Sequence, residues 1–294
     1  MSTPEVFDRS LVRQRLSRAL KAGYADFLLV RAAEDLQERL STVLRSFPLA
    51  LDVGTPTPLA AKALLQGGLA KEVVRLSPTP EAGSVWGDEE RLPFSGEQFD
   101  LAVSLLALQG VNDLPGTLIQ IRRALKADGL FIGALLGGST LTELRQALTQ
   151  AEAEVEGGVS PRVAPFADLR DIGGLLQRAG FALPVTDSDI VRVRYANAFA
   201  LMRDLRAMGL TNALNDRRRT PLKRGTLMRA AQVYAERFAD PDGRIPATFE
   251  IVWLSGWTPH ESQQKPLRPG SARMRLADAL GVKEGQPAPQ PKKE

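Results

Sequence analysis

Leu51-Asp52-Val53-Gly54-Thr55-Pro56-Thr57-Pro58 joins a short apolar run, Pro48 to Leu51, to a helical pattern that extends from Leu59 to Leu65. A strand, a glycine-containing turn and a helix in that order form the opening unit of a doubly wound α/β sheet. In such a turn, glycines let the backbone lie against a ligand with no side chain in between. Asp52 and Gly54 keep the first part of that pattern, but Pro56 and Pro58 stand where the later glycines belong. Proline lacks an N–H, fixes its own φ and drives the preceding residue out of the helical region. Thr55 and Thr57 are expected to put side chains beside the ligand path. Locally the sequence is sound, since Thr57 suits a helix N-cap and Pro58 suits the first turn.

The rest of the chain repeats the strand–helix alternation. Two amphipathic helices are expected first, over Asp8–Leu20 and Ala32–Arg45. Strands follow at Leu49–Val53, Glu72–Leu76 and Ser84–Trp86, with a helix over Leu59–Gln66 closed by Gly67-Gly68. Phe99–Leu106 is a largely apolar run, as a central parallel strand buried on both faces requires. Asp113 caps a helix with Leu114, Leu118, Ile121 and Leu125 on one face. Asp128-Gly129 turns into a strand over Leu130–Leu136, and Thr140 with Glu143 reads as a capping box. A helix over Asp168–Ala179 ends at Gly180, and Val191–Tyr195 and Thr248–Leu254 read as the last strands. The domains are N-terminal helices over 1–45, an α/β domain over 46–265 with a helical insert at about 197–244, and an extended, partly disordered tail over 266–294 rich in Pro, Gly, Gln and Lys. The fold class is therefore α/β, a doubly wound, mostly parallel sheet.

Composition limits the chemistry. The 294 residues are 44% hydrophobic and 24% charged, with a formal net charge of +4, which describes an ordinary globular chain. There is no cysteine and a single histidine, His260. Disulfides, thiolate nucleophiles, zinc–thiolate sites and a two-histidine iron triad are thus excluded within one chain. No apolar run reaches the length of a membrane span. The arginine-rich segment Arg9 to Lys21 has the composition of a transit peptide, but Val12, Leu16, Ala19 and Leu20 form a stripe that suits a docked helix. The run Arg217-Arg218-Arg219 reads as a solvated loop or as a contact for an acidic protein partner. Nucleic acid is not expected, because no aromatic residues are interleaved with it. Trp253 and Trp257 suit either core or interface.

Six segments carry a family resemblance: Val6-Phe7-Asp8-Arg9, Asp88 to Phe94, Val111-Asn112-Asp113-Leu114-Pro115, Gly157 to Arg162, Ile245 to Glu250, and Gly256 to Pro266. Through them the chain resembles the methyltransferase-like family of the mitochondrial complex I assembly factor reported to act as a protein arginine hydroxylase. It is similar, more distantly, to the carrier-protein methyltransferases of biotin synthesis. The resemblance implies the class I S-adenosylmethionine-dependent methyltransferase fold. It also implies Asp88 as the contact for the adenine amino group, and Asp52 and Gly54 as the residues that hold the methionine end of the cofactor. The same families place an acid at the end of the second strand for the ribose hydroxyls, whereas Val73-Val74-Arg75-Leu76-Ser77-Pro78 has none, Leu76 standing at that end. They also carry His-Trp before Val-Asn-Asp-Leu-Pro, where this chain has Gln109-Gly110. Departures at Thr55–Pro58, Leu76 and Gln109-Gly110 together lead to the expectation that the S-adenosylmethionine site is impaired or lost.

Two functions stay open at this point. One is a pseudoenzyme-like assembly protein that acts with a protein partner, a complex I quinone-site subunit by resemblance. The other is an active methyltransferase, or an arginine hydroxylase, with an atypical cofactor loop. No catalytic residue and no metal ligand is assigned, and His260 is read as structural or solvent-facing. A cytoplasmic location is expected for a bacterial chain and the mitochondrial matrix for a eukaryotic one, with peripheral membrane association left open.

Overall fold

A computed structural model describes residues 5–264. The tail expected over 266–294, including its disordered end, lies outside the described residues. Residues through His260 form one compact unit, and Glu261 begins a second.

Seven strands order the first unit: β1 (Phe47–Val53), β2 (Ala70–Ser77), β3 (Val85–Trp86), β4 (Phe99–Leu105), β5 (Leu125–Leu136), β6 (Ala182–Tyr195) and β7 (Ile245–Trp257). Their spatial order is β3-β2-β1-β4-β5-β7-β6. The first five are parallel, and β7 runs antiparallel between β5 and β6. The helices are α1 (Arg9–Ala22), α2 (Phe27–Ser41), α3 (Leu59–Gln66), α4 (Leu114–Ala124), α5 (Thr142–Glu156), α6 (Leu169–Arg178), α7 (Ala198–Ala207) and α8 (Arg224–Phe238). On one face of the sheet α2, α3, α5, α7 and α8 bury a large apolar cluster, and on the other α4 and α6 bury a smaller one. The expected doubly wound α/β sheet is therefore present, and β4 is buried on both faces from Leu101 to Leu105, as its largely apolar sequence requires. Among the described residues no helix is long and apolar enough to cross a membrane.

Several local expectations need correcting. The second helix begins at Phe27, not Ala32, because Leu28, Leu29, Ala32, Ala33, Leu36 and Leu40 form one buried stripe. Thr57 is not the cap of α3; Pro58 holds that position, and the Thr57 hydroxyl is buried without a hydrogen-bond partner. The capping box at Thr140 and Glu143 does not form. Leu141, at φ 56°, is the N-cap of α5, while the Thr140 and Glu143 oxygens are taken by β7: Oγ1 of Thr140 accepts from Glu250 N and Glu143 accepts from Thr248. Strand β6 starts nine residues before the expected Val191, since its first half is polar and lies at the sheet edge. There α2 supplies the partners that an apolar pattern would otherwise reveal, Arg39 bonding Asp187 at 2.6 and 2.7 Å and Arg31 bonding Asp189 at 2.5 Å. Helix α1 is docked: Asp8 caps it through Leu11 N, and Gly209 lies against Leu16 of the same helix. Trp253 is fully buried in the sheet with the Arg39 guanidinium 4.4 Å from its ring centroid.

Candidate functional site at the carboxyl ends of the strands

In an open parallel sheet, ligands bind beyond the carboxyl ends of the strands, where the strand order reverses. Here β1 and β4 are the central neighbours that lead in opposite directions. A cavity of about 760 Å³ opens beyond them, and its wall includes Gly54 after β1, Leu106 after β4 and Leu136 at the end of β5. Helices α1, α2 and α5, the segment before α6 and the insert between β6 and β7 complete it, with apolar side chains that include Leu144, Leu148, Phe166, Met202 and Met208. That volume falls within the ordinary range for a small-molecule site.

The turn after β1 is built differently from its sequence reading. Gly54, at φ +73°, donates its N–H to Leu76 O at 2.9 Å and lies on the cavity wall with Pro56. Thr55 does not stand beside the ligand path: it is fully buried, and its Oγ1 accepts from Leu105 N at 3.1 Å on β4. A Cβ on Gly54 would meet Glu89 Cγ at 2.7 Å and Oε1 at 2.8 Å, so the open side of this glycine is covered by a carboxylate.

That carboxylate belongs to an acidic trio. Arg9 of α1 bonds Asp88 at 3.1 Å, forms a short contact with Glu89, and donates to Gly110 O at 2.9 Å. Arg13 pairs with Asp88 as well, and Glu90 accepts from the N–H groups of Asn112 and Asp113. Burial pushes the Glu89 carboxyl up, and Arg9 opposes that shift. For Asp88, burial also pushes upward, but the Glu90 N–H with Arg13 and Arg9 outweighs it and leaves the group at about 2. Glu89 lines the cavity, whereas Asp88 is turned to the two arginines.

Asp52 lies behind the turn, not on the wall. It is fully buried, and its Oδ2 accepts from Arg75 Nε at 3.0 Å. Arg75 is its register partner on β2, and it also bonds Thr55 O at 2.9 Å and Glu81 at 2.5 Å. Burial raises Asp52 to about 6, with Arg75 acting against the rise. Leu76 is wholly inside the core, so the residue of β2 that serves the loop is Arg75, one position earlier. Gln109 and Gly110 line the cavity. Gln109 donates to Leu106 O at 2.7 Å, and its Oε1 is buried without a partner.

The insert wall is basic. Arg217 pairs with Asp8, Arg218 with Glu156, and Arg162 with the buried Glu152. Arg15, Arg206 and Arg219 also line the cavity. His260 is exposed beyond the end of β7 and is not part of this wall. Among the described residues no three His, Cys, Asp or Glu side chains gather in a metal-holding group. Sequence reasoning named Gly54, Gln109, Gly110 and the Arg217 run, but missed Arg9, Arg15, Arg75, Glu89 and Arg206. The quoted segments Val6–Arg9 and Asp88–Phe94 held the signal for two of these; only long-range pairing identifies the others.

The strand order and the cavity define a class I S-adenosylmethionine-dependent methyltransferase fold, and residues 51–133 match the family model described as a methyltransferase domain. The YcgJ protein of Bacillus subtilis superposes with a TM-score of 0.53 at 14% identity, covering 78% of this chain and 99% of that one, which speaks to the fold alone. At the sequence level the chain is 42% identical to arginine-hydroxylase NDUFAF5, mitochondrial, of Danio rerio, covering 93% of this chain and 89% of that protein. The chain belongs to the arginine-hydroxylase NDUFAF5 family. A more distant likeness, 33% identity over 96% of both chains, is to the malonyl-[acyl-carrier protein] O-methyltransferase of Methylovorus sp. (strain MP688).

Proposed function

We propose that the chain acts with a protein partner in respiratory complex I assembly, as its family resemblance implies, and that its S-adenosylmethionine site is weakened. The observation that carries this reading is the Asp52–Arg75 pair. The acid expected to help hold the cofactor is buried and paired with Arg75 of β2, and the end of β2, where a ribose-binding carboxylate is expected, carries the fully buried Leu76. Glu89 covering Gly54 and the two N–H-free prolines after it give the same reading further support. The residues present therefore fit S-adenosylmethionine poorly.

Each lost charged or well-placed hydrogen bond costs about 1.5–3 kcal/mol. Two such losses with a reshaped turn reduce affinity about a thousandfold, taking a micromolar site to about millimolar. Isothermal titration of the purified protein with S-adenosylmethionine is expected to show millimolar or weaker binding. The double variant Pro56→Gly, Pro58→Gly is expected to bind more tightly. Low-micromolar binding by the unaltered chain would overturn the proposal.

A second reading is an enzyme acting on a protein arginine, like the relatives that carry that name. It is favoured by the acidic trio at residues 88–90, which already accepts a guanidinium, that of Arg9. A substrate arginine at this place would have to displace or share with Arg9. Co-expression with the captured partner and mass spectrometry separates the readings: an added oxygen on an arginine of the partner supports the enzyme, and an unmodified partner supports the assembly role.

A further inference from the structure

Eight arginines line the strand-end cavity, against one carboxylate, Glu89. Five are accounted for: Arg9 and Arg13 by the acidic trio, Arg162 by Glu152, Arg217 by Asp8 and Arg218 by Glu156. Among the described residues no carboxylate lies within ion-pairing distance of Arg15, Arg206 or Arg219, in contrast to the five others. Arg206 and Arg219 are exposed at the rim, while Arg15 is half-buried. One terminal nitrogen of Arg15, Nη1, is buried with no hydrogen-bond partner among the described residues. A buried guanidinium nitrogen left unbonded costs free energy that an anion or carbonyl would restore. Burial and then the nearby cations Arg217 and Arg18 act against its charge, and Asp8 opposes them.

The position of Arg15 is set by packing. Gly209, at φ +74° after α7, comes so close to α1 that an added Cβ would lie 3.1 Å from Leu16 Cα and 3.5 Å from Arg15 C. This contact fixes Arg15 beside the end of α7, the helix that carries Arg206. The same side of the cavity also carries an apolar stretch, with Leu16, Met202, Leu205, Met208, Leu210 and Leu222 in its wall. A solvated anion has no use for such a wall, and a plain hydrocarbon has no use for the arginines.

We propose that the insert side of the cavity binds an amphiphilic anion: a short apolar chain ending in a carboxylate or a phosphate, its head at Arg15, Arg206 and Arg219. This goes beyond the cofactor reading and does not depend on it, since none of these residues belongs to the Gly54 turn.

Calorimetric titration of the full chain with octanoate, octyl phosphate, octanol and octyltrimethylammonium tests it, with no S-adenosylmethionine present. One or both anions are expected to bind about ten- to a hundredfold more tightly than octanol, and the better of the two identifies the head group. Arg15→Gln is expected to reduce that preference about tenfold or more. Should Arg15→Gln fail to fold, the exposed Arg206→Gln and Arg219→Gln variants and a sodium chloride series carry the test, each expected to weaken the anions and leave octanol unchanged. Octanol or the ammonium binding as well as the anions would overturn the proposal. So would an anion preference that survives all three substitutions.

Discussion

Replacing Arg75 with leucine should make the stability of this protein depend strongly on pH, for reasons that rest on a single buried pair. Asp52 has no exposure to solvent, and among the described residues its only ion-pair partner is Arg75 at 3.0 Å. Burial lifts Asp52 from 3.8 to about 6 even with Arg75 in place. At about 1.4 kcal/mol per decade of pH, that difference corresponds to about 3 kcal/mol. The folded state holds the proton more tightly than the unfolded state, so this group's contribution is full below 3.8 and is lost as pH rises towards about 6. Removing the guanidinium leaves an uncompensated buried carboxylate above that window, a loss of about 3–5 kcal/mol. Below it, the carboxyl takes up a proton and most of the penalty disappears. Contact with the half-exposed Glu81 adds little, because such pairs are worth about 0–1 kcal/mol. Thermal unfolding followed by circular dichroism should place Arg75→Leu about 10 °C below the unaltered chain at pH 8, with the gap narrowing clearly at pH 5. An equal gap at both values, or none at pH 8, would refute the reasoning, and with it the claim that Arg75 neutralises Asp52.

Two further outcomes follow from the same end of the sheet. Gly54→Ala must accept a left-handed backbone and displace the Glu89 side chain, whose Cγ would lie 2.7 Å from the new Cβ; a loss of about 2 kcal/mol is expected from the backbone alone by denaturant titration, and an unchanged midpoint would show that the turn relaxes freely. Asp88, held at about 2, contributes stability that is present above its ordinary 3.8 and is lost as pH falls between those values; Asp88→Asn should therefore be less stable than the unaltered chain at pH 7 and converge on it near pH 2, a convergence that acid titration of the unfolding midpoint would reveal or deny.

Much of the fold can be read from the sequence because its strands announce themselves. Phe99 to Leu105 is largely apolar on both faces, and the helix at Leu59–Gln66 starts and stops where its pattern does. Strand β6 is harder to recognise, since Thr186 to Asp189 are polar and are held at the edge by arginines from a helix some 150 residues earlier. The capping motif at Thr140 misleads for a related reason: a neighbouring strand competes for the same side-chain oxygens and wins. At the cavity, the glycine and the prolines were legible because they are contiguous. Arg75 and Glu89 were not, because what defines them is the distant group each one meets. A local pattern cannot express a pairing between Arg75 and Asp52, or between Arg9 and Glu89.

The roof over the strand ends is sewn from the N-terminal segment and the insert between β6 and β7. Asp8 N–H reaches Ala213 O at 2.9 Å, Asn215 N–H reaches Val6 O at 2.9 Å, and Phe7 forms an isolated bridge with Leu214. During synthesis, the first helix must therefore wait for some two hundred residues before its stitches can close. A ribosome-bound chain can complete most of the parallel sheet well before that, but the chamber above it takes shape only once the insert has emerged. Any ligand of this chamber is thus a late arrival, one that meets a protein already folded beneath it.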